Sequence, residues 1–299
     1  MKTSALMASD PDVGFIVDAP HAHAPLVITF GFVNWDALPD FDFDGRTLKL
    51  AERTGVPLNR ILLRDTTNLW YQHGVAGLGR DADEVAAALR GWIERLQPSS
   101  VSTVGQSMGG YAAILFGALI GADRVLAFGP LSYLRSEWAR RDGDTRWLPA
   151  FDKLRRFPPT RLYDDLPALL AATPKLPAIR VLIGSANEPG QPANLDRLHA
   201  QRLVQCPGVR VDEFPKAPHA IVQWLIDQGR IDDVLQQTLL PEAPTPPFTM
   251  NHSPRAESAV PPPATQPFTD AWRSWIAENL ALGSTPDALL PTLVAQGFH

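Results

Sequence analysis

Short apolar runs and amphipathic segments alternate along the first 240 residues of the chain. Six runs are rich in strand-forming residues: 26–30 (LVITF), 60–63 (RILL), 101–104 (VSTV), 124–128 (RVLAF), 180–183 (RVLI) and 209–214 (VRVDEF). Segments with apolar residues at helical spacing follow Asp81 and Ser107, surround 195–203 and begin again at Ile221. Strands buried on both faces, with helices as crossovers, form a mostly parallel sheet. The pattern therefore predicts an α/β fold with a doubly wound, mostly parallel sheet.

One segment of this body breaks the alternation. Residues 131–173 contain helix-like pieces and many aromatic residues but no β-rich run. We therefore expect a helical cap inserted between two strands, within an α/β body that spans residues 1–240.

The chain beyond this body changes in composition. Nine of the 28 residues in 241–268 are proline, and apolar residues there are sparse, which predicts an extended linker. Residues 269–299 follow as a predicted helical tail, with Trp272 and Trp275 on one apolar stripe. Because this tail is too short to bury a core, we expect it to dock on the body or on a protein partner. The tail is also similar to a helical segment found before some Fe(II)/2-oxoglutarate oxygenase-like domains.

Charge and cysteine content narrow the classes of function. The 299 residues include 27 Lys and Arg against 32 Asp and Glu, a net charge of −5. Such a balance offers no long-range attraction to nucleic acid or anionic lipid, so we expect neither as a partner. Cys206 is the single cysteine and cannot form an intramolecular disulfide. With no apolar run near the ~20 residues that a spanning helix needs, we expect a cytoplasmic protein that acts on a small molecule.

A G-x-S-x-G motif stands between a predicted strand and a predicted helix. It reads Gly105-Gln106-Ser107-Met108-Gly109. Glycines at these positions allow a sharp turn that would hold the Ser107 hydroxyl at the carboxyl edge of the sheet, at a helix N-terminus. The motif predicts a nucleophilic serine, although a serine in such a turn can also serve only as a helix cap.

Three further features fit a nucleophilic serine. His219 follows the last predicted strand, and an imidazole is the side chain suited to take a hydroxyl proton near neutral pH. Acidic residues lie between the 180–183 strand and His219, which gives the order serine, acid, histidine. The first predicted strand ends at Gly31-Phe32, so the backbone N–H groups of Phe32 and Met108 could form an oxyanion hole.

On these residues the sequence resembles the α/β-hydrolase superfamily, over about residues 27–240. The resemblance implies Ser107 as nucleophile, His219 as base, and Phe32 and Met108 as oxyanion donors. The position of the acid departs from the common pattern, because Asn187 stands three residues after the glycine that closes the corresponding strand. Asp196 and Glu188 are the candidate acids. Asp196 is slightly preferred, because an insertion at the proline-containing segment 189–193 would place the acid further along the sequence.

The sequence therefore predicts a serine hydrolase of esters or thioesters, working through an acyl-enzyme on Ser107. The substrate would be a small-molecule or carrier-bound acyl group, and no cofactor or metal is expected. An acyltransferase with the same acyl-enzyme is one alternative. A non-enzymatic scaffold that presents the C-terminal tail to a partner is the other.

Overall fold

Seven strands form one sheet in a computed structural model that describes residues 9–187 and 194–240. The order across the sheet is β1-β3-β2-β4-β5-β6-β7; β1 runs antiparallel to β3, and all other neighbours are parallel. The strands are β1 (Phe15–Asp18), β2 (Leu26–Phe30), β3 (Asn59–Leu63), β4 (Val101–Gln106), β5 (Arg124–Phe128), β6 (Ala178–Gly184) and β7 (Val209–Phe214).

Helices cover both faces of this sheet. They are α1 (Asp44–Thr54), α2 (Ala82–Leu96), α3 (Met108–Ile120), α4 (Ser136–Asp142), α5 (Leu148–Arg156), α6 (Leu166–Ala172), α7 (Leu195–Leu203), α8 (Ile221–Asp227) and α9 (Ile231–Leu239). Successive residues of the central strands enter opposite cores, as their alternation requires. In β5, Val125 and Ala127 join the core formed with α2 and α3, whereas Leu126 and Phe128 join the core formed with α1, α8 and α9.

The six predicted strands and the predicted α/β class are confirmed. Two elements were not predicted from the sequence: the edge strand β1, whose four residues are all half-buried, and the helix α1. The helical region from Ile221 onward consists of two helices, because Gly229 adopts a φ of 65° between them.

The predicted helical insertion is present between β5 and β6, where it contains α4, α5 and α6. It is tied to the body by buried contacts. Tyr111 on α3 donates a 2.6 Å hydrogen bond from its hydroxyl to the carbonyl of Tyr163. The rings of Trp70 and Trp147 meet edge to face, with centroids 5.6 Å apart. We call residues 131–173 the cap insertion.

The predicted linker (241–268) and helical tail (269–299) lie outside the described residues. Within residues 9–187 and 194–240, none of the helices combines the length and the apolar character that crossing a bilayer requires.

Candidate active site

Ser107 occupies a strained turn at the carboxyl edge of the sheet. It lies between β4 and α3 with φ 53° and ψ −116°, and its N–H donates to the carbonyl of Phe128 at 2.7 Å. The two motif glycines permit this turn, because a Cβ on Gly105 would overlap the backbone of Gly109, and a Cβ on Gly109 would overlap the carbonyl of Phe30. The turn holds a serine that is 5 % exposed at the start of a helix.

His219 faces this serine from the loop that follows β7. Its Nε2 lies 3.3 Å from Ser107 Oγ. The loop is fixed against the end of β6, since the N–H of Ala186 donates to the carbonyl of Ala217 at 3.0 Å. The imidazole keeps about a quarter of its surface exposed, so the pair can be approached from solvent.

Asp196 completes the group. It is the second residue of α7, which begins after Asn194, whose side chain caps the helix by accepting from the N–H of Arg197. Asp196 Oδ2 lies 2.7 Å from His219 Nδ1, and the residue is 2 % exposed. The structure thus brings Ser107, His219 and Asp196 together, whereas Glu188 lies outside the described residues.

A second buried group stands behind Asp196. Arg146, from the loop between α4 and α5, points one guanidinium nitrogen at Asp196 Oδ1 at 3.3 Å. The Nε–Nη2 edge of the same guanidinium donates two hydrogen bonds to the Asp144 carboxylate, at 2.8 and 2.7 Å. Burial raises the pKa of Asp144, but the hydrogen bonds and charge interactions with Arg146 and His199 together lower it by more, so it lies well below its usual range.

His199 forms a hydrogen bond with Asp144. Its Nε2 lies 3.0 Å from Asp144 Oδ2, while its Nδ1 accepts a 3.0 Å hydrogen bond from the N–H of Ser132. Since a backbone N–H can only donate, Nδ1 is unprotonated and Nε2 carries the proton. Burial lowers the pKa of His199 despite the opposing effect of Asp144, so the ring is neutral. Ser132, His199 and Asp144 are all buried, so they are not a second accessible nucleophile.

This second group was not predicted from the sequence. His199 stands three residues after Asp196, a spacing that places both on one side of a helix and could have signalled a shared role. Nothing in the sequence distinguishes Arg146 from the other six arginines of the cap insertion, because its burial depends on the fold.

The two predicted oxyanion donors differ in their surroundings. Met108 is the first residue of α3, so its N–H has no acceptor within the helix. The N–H of Phe32 donates to Asp42 Oδ2 at 2.8 Å. Burial raises the pKa of Asp42 to about 7, against the effect of the Phe32 hydrogen bond and with a smaller upward contribution from Asp40. The Phe32 donor is therefore occupied by a carboxyl group that titrates near neutral pH, which the sequence did not predict.

Other residues near this edge are structural. Trp70 and Tyr71, which follow β3, are fully buried in a packed loop. The Tyr71 hydroxyl donates to the carbonyl of Gly31 at 2.9 Å and so fixes the loop that carries Phe32. No group of three or more His, Cys, Asp or Glu side chains suited to a metal ion occurs in residues 9–187 and 194–240.

The chain is similar to known proteins in fold. No family model matches the chain, and no curated protein matches it. A solved glycosylation-associated protein complex from Streptococcus agalactiae aligns with a TM-score of 0.50 and 13 % identity, over 75 % of this chain and 43 % of that chain. An S-formylglutathione hydrolase from Agrobacterium tumefaciens aligns with a TM-score of 0.46 and 14 % identity, over 77 % and 91 % of the two chains. An α/β serine hydrolase without lid from Xanthomonas campestris gives 0.43 and 16 %, over 77 % and 90 %.

The strand order, the helices on both faces and the turn at Ser107 define the fold of this chain. This architecture is the α/β-hydrolase fold, which the sequence resemblance implied.

Proposed function

We propose that this protein is a serine hydrolase that cleaves an ester or thioester through an acyl-enzyme on Ser107. The observation that carries the proposal is a continuous line of contacts: Ser107 Oγ to His219 Nε2 at 3.3 Å, and His219 Nδ1 to Asp196 Oδ2 at 2.7 Å. A hydroxyl needs an adjacent base to become a nucleophile, and the base needs a partner that orients it and stabilises its charged form.

The reaction would proceed in two halves. Ser107 Oγ attacks the acyl carbon while His219 Nε2 takes its proton, and the imidazolium faces the Asp196 carboxylate. Collapse of the tetrahedral intermediate breaks the bond to the leaving group, which receives the proton from His219 and departs as an alcohol or thiol. Water then attacks the acyl-enzyme, with His219 again as base, and releases the carboxylic acid and Ser107.

The negative oxygen of the intermediate would be held by backbone donors. The Met108 N–H stands at the N-terminus of α3, where the helix dipole also favours negative charge. The Phe32 N–H would contribute once the Asp42 carboxyl leaves it. A donor of this kind contributes roughly 3–4 kcal/mol to the stability of the transition state.

Covalent labelling tests the nucleophile without knowledge of the substrate. We expect a fluorophosphonate probe to form one adduct, on Ser107, that intact-mass and peptide mass spectrometry detect. The adduct should vanish in Ser107→Ala and in heat-denatured protein, and its rate should fall about 10²–10⁴-fold in His219→Gln, because the base is lost. Absence of labelling in folded wild-type protein would favour the scaffold alternative.

Substrate class needs a separate assay. Short-chain and long-chain p-nitrophenyl esters and acyl-thioesters, tested with Ser107→Ala as the blank, would separate ester from thioester preference. Acid released without an added acceptor supports hydrolysis. Product formed only when an alcohol or amine is present would instead identify an acyltransferase.

A further inference from the structure

The cap insertion contributes a buried cation that touches the acid of the proposed triad. Arg146 bridges Asp196 and Asp144, with contacts of 3.3 Å to the first and 2.8 and 2.7 Å to the second. The side chains of both aspartates are 3 % exposed. Buried charges interact more strongly than charges on the surface, so the charge of each of these side chains affects the ionisation of the others.

The charges in this cluster can be counted. With both aspartates as carboxylates, Arg146 cationic and His199 neutral, these four side chains sum to −1, and a proton on His219 brings the sum to 0. Arg146 therefore opposes protonation of His219, whereas Asp144 offsets part of the charge of Arg146. The two residues act in opposite directions on the same imidazole.

Other charged groups close to this cluster form ion pairs of their own. Asp196 faces Arg146 from the cap insertion and His219 from the loop after β7. On α7 itself, Arg197 pairs with Glu213, and Arg202 pairs with Asp165 while also donating to Ser132 Oγ at 3.1 Å. Asp142, which ends α4, is paired with Arg141.

We propose that Arg146 is a positioning residue for the proposed triad. With Asp144 as its anchor, it holds the Asp196 carboxylate toward His219, and its positive charge opposes that of a protonated His219. This inference rests on the proposed function for its catalytic meaning, but its electrostatic content concerns the imidazole of His219 alone.

The same contacts also restrain the position of the Arg146 side chain. Asp144 is fixed by His199, and His199 is fixed by the backbone N–H of Ser132. Ser132, Asp144 and Arg146 all belong to the cap insertion, whereas His199 and Asp196 lie on α7. The cap insertion and the acid-bearing helix thus hold each other in place through one buried network.

The test is the titration of His219 in full-length protein, followed by NMR of histidine labelled with ¹³C at Cε1. Its signal is assigned by its loss in His219→Gln. Relative to wild type, we expect the titration midpoint to rise by about half to one pH unit in Arg146→Met and to fall by about half a unit in Asp144→Asn. The double variant should lie near wild type, and Arg146→Lys should shift less than Arg146→Met because it keeps the charge.

The matched control is Arg135→Met. Arg135 forms a two-bond ion pair with Asp164 in the same cap insertion, at 2.9 and 3.0 Å, without contacting Asp196. Its removal should leave the midpoint unchanged. Equal shifts in the control, or shifts of the same sign in Arg146→Met and Asp144→Asn, would overturn the proposal. Should Arg146→Met fail to fold, Asp144→Asn decides alone, because asparagine keeps the shape of the aspartate side chain. The expected fall of the midpoint is opposite in sign to the rise that displacement of Arg146 would cause.

The pH dependence of fluorophosphonate labelling separates this inference from the proposed function. Its acidic limb should move with the NMR midpoints in each variant. Opposite NMR shifts without any labelling would retain the electrostatic role of Arg146 and reject the hydrolase. Labelling of Ser107 with unshifted midpoints would retain the hydrolase and reject the role of Arg146.

Discussion

The carboxyl group of Asp42 is held in a setting that favours its protonated form. It is half-buried beside Asp40, and its pKa is raised to about 7. An unfolded chain would release this proton near pH 4. Between these values the folded protein binds more protons than the unfolded one, so this group makes the free energy of unfolding fall as the pH rises from about 4 to 7.

Asp42→Asn removes that titration and keeps an oxygen that can accept from the Phe32 N–H. We expect little difference from wild type at pH 4, and a gain in the free energy of unfolding of about 2 kcal/mol by pH 8, after allowing for partial solvation of the carboxyl. Urea denaturation at several pH values measures this. Asp36→Asn, an exposed site in the same loop, is the control. A difference that is independent of pH would contradict the assignment.

Asp196 and Glu188 remain distinguishable by substitution. Asp196→Asn keeps the shape of the side chain but removes the charge facing His219 Nδ1, and we expect kcat for a hydrolysed ester to fall about 10³–10⁴-fold. Glu188→Gln should leave kcat within about twofold of wild type. Equal losses in the two variants would contradict the role proposed for Asp196, and circular dichroism would check that each variant is folded.

At the scale of elements, the end of β6 and the loop that carries His219 are in contact. A Cβ on Gly184 would overlap the carbonyl oxygens of Ala217 and Pro218, the two residues before His219. The hydrogen bond from Ala186 to Ala217 lies beside this contact. The loop that carries the proposed base can therefore lie this close to β6 only because residue 184 is a glycine.

Gly184→Ala tests that dependence. We expect it to displace the loop, to lower the free energy of unfolding by about 2–3 kcal/mol, and to reduce the rate of Ser107 labelling at least tenfold. Gly91→Ala is the matched control, because a Cβ there meets no neighbouring atom, and alanine in the middle of α2 should stabilise by about 0.5–1 kcal/mol. Thermal denaturation and labelling kinetics on the three proteins decide the outcome; unimpaired labelling in Gly184→Ala would contradict it.

The elements themselves were largely predictable from the sequence. Strands β2 to β6 are the buried ones, and their β-branched runs carry a strong local pattern. The strand β1 was missed because FIVD is short and half-buried, and its strand geometry comes from pairing with β3. Local sequence cannot supply that pairing.

At the scale of the whole molecule, the candidate site was predictable where a motif carries it. Ser107, Met108 and His219 follow from the turn sequence and from their places after predicted strands. Asp42 and Arg146 were missed, since each matters through a contact that only the folded chain forms: Phe32 with Asp42 between the two ends of one loop, and Arg146 with Asp196 across 50 residues. Such contacts depend on tertiary packing and leave no local pattern.

The cap insertion is joined to α3 through Tyr111 and Tyr163, and to the acid-bearing helix through Arg146. In this chain, replacing the segment between β5 and β6 would remove Arg146 and Asp144 together, and with them the buried contacts to Asp196 and His199. Redesign of selectivity here has to retain that arginine and its anchor and vary the residues around them.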